Sequence, residues 1–471
     1  MSEKNAALRA GVGYTIGNIL IKGINFLTLP LFSRLMTTAE FGTYNVFLSY
    51  DGILSIMLGL AMHTSVRSAH YEFNDTDGYV SSISLFYILN AILFLVVFLW
   101  WGNDISSFFK MDERLLFLLI PFSFGSGIIQ LYNQRISLDY DYKNYLLVAL
   151  VNSLGNVAVS LVLIFTFFYC DRAFGRILGT VGTIFFISIV LLWNLAKKKP
   201  LYYNYNFWKF GLLYSLPIVP HGLSQVILGQ CDRIMIANMV GVSAAGIYSL
   251  AGNLQLVLAV ITNSIGTSWS TWFYAQMENY NYNEIQVNAK LLMRMFLVCT
   301  LVFLSISPEV IYLIGGSNYE QGKFVAVPLI VSGFILFLYS IIVPSEYYAK
   351  KTVYIMYGTV IAAIINAITN YIFINFFGYI AAGYTTLFSY ICYLSLHIYL
   401  SKKLIKFDVI SIKSITMTIL LILFYSCIIL FSINHILIRY SIAFAFIIIL
   451  SPPLVRKGLY ILEMKCGRVK S

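Results

Sequence analysis

The sequence predicts an all-α polytopic membrane protein of about fourteen transmembrane helices, built as two pseudo-symmetric six-helix lobes followed by a C-terminal helix pair. Three observations predict it. Of the 471 residues, 59% are hydrophobic and 11% charged, with a mean hydropathy of +0.80; soluble domains average roughly 45–50% and about 25%. The apolar excess is spread over the whole length in windows long enough to cross a bilayer. One segment also recurs without a gap 204 residues further on.

Windows able to span a hydrocarbon core of roughly 30 Å fall at 11–33, 41–63, 79–101, 115–134, 145–168, 176–195, 210–239, 244–266, 291–314, 325–345, 354–376, 380–400, 414–432 and 438–455. The polar N-terminus, MSEKNAALRA, is followed by an apolar run too long for a signal-peptide h-region, with no small-residue cleavage site, so the first window is expected to be a retained helix. With the N-terminus in the cytoplasm, inside segments hold 22 of the 31 Lys and Arg residues and outside segments 7. This positive-inside bias predicts that both termini are cytoplasmic. It also accounts for the net charge of +11: the lysine tracts at 197–199 and 402–406 face anionic lipid. Membrane lipids are therefore expected partners and nucleic acid is not. The division expected is 1–200 for the N-terminal lobe, 201–402 for the C-terminal lobe, and 403–471 for the last two helices and a basic cytoplasmic tail. Short loops exclude a large extracytoplasmic domain.

The repeat pairs LMTTAEFGTYNVFLSYD (35–51) with MVGVSAAGIYSLAGNLQ (239–255). Gly42 and Tyr44 fall on Gly246 and Tyr248, Asn45 on Ser249, Ser49 on Asn253 and Asp51 on Gln255. Transporters commonly carry such repeats, with the substrate between them near the midplane.

Polar residues inside the spans are the candidates for function, because each costs about 2.5–3.5 kcal/mol on insertion scales. In the first helix Thr15, Asn18, Lys22 and Asn25 recur at helical spacing and form one stripe. Lys22 is either a cation snorkelling to the interface or a cation turned to protein and water; its mid-span position favours the second. Asp51 lies on the next helix. Counted from the outside turn, Lys22 and Asp51 are roughly 21 and 16 Å deep, so an ion pair between them is expected to lower the cost of both. The seventh span, SLPIVPHGLSQVILGQCDRIMIANMVG (215–241), should break near Pro217, Pro220 and Gly222. His221 beside the break is either structural or a group that titrates near neutrality. Asp232 and Arg233 lie further out. Asn152, Asn156 and Ser160, Asn366 and Asn370, and the Gln130–Arg135 set suit helix–helix hydrogen bonding as well as function.

No catalytic constellation is found. The six cysteines are scattered singly, without zinc or redox spacing, and no cofactor or metal motif occurs. GGSNYEQGKF (315–324) superficially resembles a P-loop, but its spacing is wrong and Phe324 stands where Ser or Thr is needed. The chain is not expected to be an enzyme.

GNILIKGINFLTLPLFSRLMTTAEFGTYNVF (17–47) and YSLPIVPHGLSQVILGQCDRIMIANMVGVSAAGIYSLA (214–251), with P-x-x-P-H, D-R and G-x-Y elements, resemble Wzx-type polysaccharide flippases of the multidrug/oligosaccharidyl-lipid/polysaccharide (MOP) exporter superfamily. The resemblance covers essentially the whole chain. It implies transfer of undecaprenyl-pyrophosphate-linked oligosaccharide across the bacterial inner membrane by two rocking lobes around a cationic cavity, coupled to H⁺ or Na⁺, in company with a polysaccharide polymerase and a chain-length regulator. By position, Lys22 and Arg233 would be cavity cations, with Asn18, Asn25 and Asp51 beside them and Asp51, Asp232 and His221 as ion-coupling or gating groups. A drug antiporter of the same superfamily is the first rival; cationic drugs prefer acidic cavities. A glycan polymerase or glycosyltransferase is the second; short outside loops weigh against it.

Overall fold

The computed structural model describes residues 3–450, except that the side chains of 3–10, 12, 15, 16, 18, 19 and 352 lie outside the described residues. Every described segment of length is helical. In order the helices are α1 (Glu3–Leu35), α2 (Thr38–Gly59), α3 (Val66–Glu72), α4 (Thr76–Phe109), α5 (Glu113–Leu138), α6 (Tyr142–Thr166), α7 (Arg172–Lys198), α8 (Tyr205–Ser215) and α9 (Val219–Met239). Then follow α10 (Val242–Glu278), α11 (Tyr282–Gly315), α12 (Gly322–Ile342), α13 (Pro344–Tyr348), α14 (Thr352–Phe377), α15 (Tyr379–Ile405), α16 (Ile412–Phe431) and α17 (Ile436–Leu450). The expected windows fall on helices as far as residue 450, the last one running past the described residues, and the windows 41–63 and 210–239 each cross a break between two helices. Among the described residues nine helices are long and apolar enough to cross a membrane, and eleven if each of two bent pairs counts as one span. The chain clusters into two compact units, residues 1–246 and 247–471.

The helix starts in the first unit are written in the sequence. Asp75, Asp112, Asp141 and Asp171 cap α4, α5, α6 and α7, each carboxylate accepting a backbone N–H of the first turn. Thr37 and Glu40 form a reciprocal capping box at α2, at 3.2 and 2.7 Å. These bonds satisfy orphan N–H groups that no neighbouring turn can reach.

Two spans are broken. The α8–α9 pair bends by 49° at Leu216–Ile218, which contains Pro217, with Pro220 in the first turn of α9, as the sequence predicts. The second break has no proline. The α2 span bends by 55° into Met62–Glu72, with Leu60 and Ala61 both at positive φ (43° and 53°), a region that non-glycine residues rarely occupy. Asn90 Nδ2 reaches the freed Leu58 carbonyl at 2.5 Å. The core of this unit lies behind the break, where Leu58, Met62, Tyr79, Ile83, Tyr87 and Leu131 are fully buried together.

In the second unit α12 is almost wholly buried and packs on α15 and α11. The C-terminal pair is held to α11 by buried side chains. Arg439 Nη1 on α17 donates to Glu309 at 2.9 Å, its Nη2 also engages that carboxylate, and Tyr425 on α16 bonds to Ser305.

Candidate functional site

Lys22 is exposed on α1. The expected ion pair with Asp51 is not made: none of the ion pairs among the described residues joins them. The reason is the course of α1. It runs along α6 and meets α2 only briefly. The Tyr14 and Tyr145 rings meet edge-on at 5.0 Å, and Asn25 Oδ1 accepts from Ser153 Oγ at 2.9 Å. Asn25 thus sits on the flank of the face turned to α6, with Lys22 about 60° further round the helix. Asn18 and Thr15 have side chains outside the described residues.

Asp51 is tied elsewhere. Its Oδ1 accepts from Ser123 Oγ on α5 at 2.6 Å. The adjacent Gly52 lies against α9: a Cβ there would stand 3.0 Å from Val226 and 3.3 Å from Gln230. The structure therefore turns Asp51 to α5 and its neighbour Gly52 to the stretch of α9 between His221 and Arg233. On α9, Asp232 is buried and Arg233 half-buried, and His221, at the break, has Nε2 3.3 Å from Gln225 Nε2.

The repeat is visible in these contacts. Asp51 on α2 bonds to a serine of α5, and Gln255, its counterpart on α10, donates to Ser332 on α12 at 3.0 Å. Thr38 and Ser243, at the starts of α2 and α10, share a hydroxyl contact of 2.6 Å.

Three features escaped the sequence reading. Arg176 on α7 is 7% exposed and has no carboxylate within ion-pair distance among the described residues. Its guanidinium lies 3.5 Å from the Phe32 ring centroid and 4.9 Å from that of Tyr44, and Nη1 donates to Asn156 Oδ1 at 3.0 Å. Thr180 donates to the same oxygen at 3.0 Å. At the very start of the 176–195 window, Arg176 reads from sequence as an outside cation at a helix end. Second, the face Asn263, Ser264, Thr267, Ser268 and Thr271 of α10 is exposed. The Ser264, Thr267 and Thr271 hydroxyls donate to carbonyls one turn back, at 2.9, 3.0 and 3.2 Å, leaving oxygen lone pairs as acceptors. The dense run TNSIGTSWSTW (262–272) was its signal. Third, His397 Nδ1 on α15 and Glu346 Oε1 on α13 meet at 2.7 Å with both side chains wholly buried, beside Tyr339 and Tyr393. Its two members lie 51 residues apart, so no local pattern announces it.

The P-loop-like segment is a helix end. Gly316, at φ +71°, closes α11, and Lys323 is held by Glu320 and Asn434 at 2.7 and 2.9 Å. Among the described residues no cluster of metal-ligating side chains occurs.

Polar and cationic groups thus stand on membrane helices of a twice-repeated helical fold. A family match decides what kind of chain this is: residues 8–273, more than half of the 471, match the polysaccharide biosynthesis protein family. The chain belongs to that family. The match contains both stretches on which the Wzx-type resemblance was read. A protein of the Lsg locus of Haemophilus influenzae is 21% identical to this polysaccharide biosynthesis protein over 363 residues, covering 75% of this chain and 87% of the relative. The capsular polysaccharide biosynthesis protein CapF of Staphylococcus aureus is 23% identical over 349 residues, covering 69% and 81%. Among solved structures, the lipid II flippase MurJ in an inward closed conformation superposes with a TM-score of 0.76 at 15% identity, covering 95% of this chain and 99% of that one. An inward-facing multidrug resistance MATE transporter of the MOP superfamily gives 0.63 at 14% identity, covering 83% and 98%. This polysaccharide biosynthesis protein is therefore a multi-pass membrane protein with the fold seen in MurJ and the MATE transporters.

Proposed function

We propose that this protein is a flippase that moves undecaprenyl-pyrophosphate-linked oligosaccharide repeat units from the inner to the outer leaflet of the bacterial cytoplasmic membrane by alternating access, coupled to H⁺ or Na⁺. The observation that carries this reading is the exposed Lys22 on α1 of a polysaccharide biosynthesis protein. A lipid-linked pyrophosphate cannot cross hydrocarbon unaided, because its charges and hydroxyls would lose their water. A cation held in a hydrated path offsets that loss, and Arg233 is the second cation assigned to it. Asn18 and Asn25 are assigned to the sugar. Asp51, Asp232 and His221 are assigned to ion coupling. No covalent step is required of any of them.

In this reading residues 1–200 and 201–402 are the two rocking lobes and 403–471 the added pair and tail, with both termini cytoplasmic. A polysaccharide polymerase and a chain-length regulator take over at the outer leaflet. The test is deletion of the gene in its host. Lipid-linked repeat units should accumulate on the inner leaflet, protected from a membrane-impermeant glycosidase in intact spheroplasts. Accumulation on the outer leaflet would point to a polymerase, and altered drug sensitivity with normal surface polysaccharide to an antiporter.

A further inference from the structure

A cavity of about 640 Å³ opens between α10 and α11, near the turn that joins them. Its polar and aromatic lining comprises Ser264, Ser268, Trp269 and Trp272 of α10 and Glu284 and Asn288 of α11. The volume is that of a small-molecule site, and so is the composition, aromatic walls with a few convergent polar groups.

The lining decides the class of occupant. No Lys, Arg or His contributes to it, so a pyrophosphate would find no counter-charge here, and the Glu284 carboxylate would repel it. An acyl chain fits no better, since hydrocarbon would take the water from the exposed Glu284 carboxylate and give it no counter-charge. The two indoles form a fixed wall. Trp269 is buried, with its indole N–H donating to the Ile341 carbonyl at 2.9 Å. Trp272, half-buried, lies against it with ring centroids 5.2 Å apart and planes inclined by 35°. Asn288 Nδ2 donates to Glu284 Oε2 at 3.3 Å and so orients the carboxylate. Ser264 Oγ spends its proton on the Val260 carbonyl and keeps its lone pairs for a donor. An aromatic platform ringed by hydroxyl, amide and carboxylate complements a pyranose, which presents an apolar C–H face and a rim of hydroxyls.

We propose that this cavity is a saccharide subsite, taking a sugar unit free of carboxylate and phosphate and stacking it on Trp272. The inference rests on the lipid-linked saccharide reading above. It adds a place for the glycan on the second unit.

The test compares two probes on the full-length protein in nanodiscs: undecaprenyl pyrophosphate without sugar, and the lipid-linked oligosaccharide extracted from the host. The wild type should bind the saccharide-bearing lipid more tightly. Trp272→Ala should weaken that binding by about tenfold and leave the Kd of the bare lipid unchanged, which also shows that the variant is folded. Trp272→Phe, which keeps a ring, should retain most of the affinity. Equal binding of the two lipids by the wild type, or a Trp272→Ala variant that weakens both alike or neither, overturns the subsite and leaves the flippase reading standing. A wild type that binds neither lipid overturns the flippase reading itself.

Discussion

Gly42 and Gly246 press the two repeats together in a reciprocal contact. A Cβ on Gly42 would stand 1.9 Å from the Val242 carbonyl oxygen, and one on Gly246 would stand 2.0 Å from that of Thr38. The 204-residue offset carries Gly42 onto Gly246 and Thr38 onto Val242, so each helix start offers the other the same surface. Both obstacles are backbone atoms, which cannot rotate away. Gly42→Ala or Gly246→Ala should therefore cost about 1–3 kcal/mol, read as a lower melting temperature of the purified protein. Gly182→Ala is the control: a Cβ there meets nothing within 4 Å, and its melting temperature should not fall.

Lys22 is exposed and unpaired by Asp51, so Lys22→Ala should leave stability within about 0.5 kcal/mol of the wild type while abolishing surface polysaccharide export. Lys22→Arg should be milder. Normal polysaccharide in Lys22→Ala would remove this residue from the substrate path.

Asp51 and Ser123 form a unit of their own. Asp51→Asn should impair transport and alter its pH profile if the carboxylate carries the coupling proton, whereas Ser123→Ala should leave turnover in place and shift only the profile. Reconstituted vesicles with a fluorescent lipid-linked saccharide would measure both. An unchanged rate and profile in Asp51→Asn would exclude a coupling role.

Arg176 binds Phe32 of α1, Tyr44 of α2 and Asn156 of α6 to α7. Arg176→Met should cost about 2 kcal/mol, the scale of a desolvated cation–π contact, by thermal unfolding. Arg176→Lys should restore little of it, because a compact ammonium cannot reproduce the stacked planar fork.

The buried Glu346–His397 pair predicts a non-additive cycle. Glu346→Leu or His397→Leu should each destabilise by about 3–5 kcal/mol, since the partner is left buried alone. Glu346→Leu combined with His397→Leu should lose much less than the sum of the two single losses. Additive losses in that cycle would mean that the two side chains do not depend on each other.

Much of this protein was legible because a membrane makes sequence patterns stringent. Wherever residues are described the apolar windows became helices, and the prolines at 217 and 220 marked a real break, since a bilayer leaves the backbone no other partner than itself. The repeat was legible for a related reason: only glycine tolerates the approach at 42 and 246, so the matched glycines had to persist in both copies. Composition and charge bias carried the class, and the family resemblance carried the function proposed.

Tertiary structure alone decided which polar groups meet. Counting residues from the turn sets Lys22 and Asp51 at a similar depth, but depth fixes one coordinate of three. The packing of α1 on α6 set the azimuth and the neighbour, and so parted them. The break at Leu60–Ala61 carries no helix breaker and depends on Asn90, far along the chain, accepting the role of partner to a freed carbonyl. The contacts of Arg176 and the Glu346–His397 pair are likewise assembled from distant segments, which periodicity and spacing cannot join.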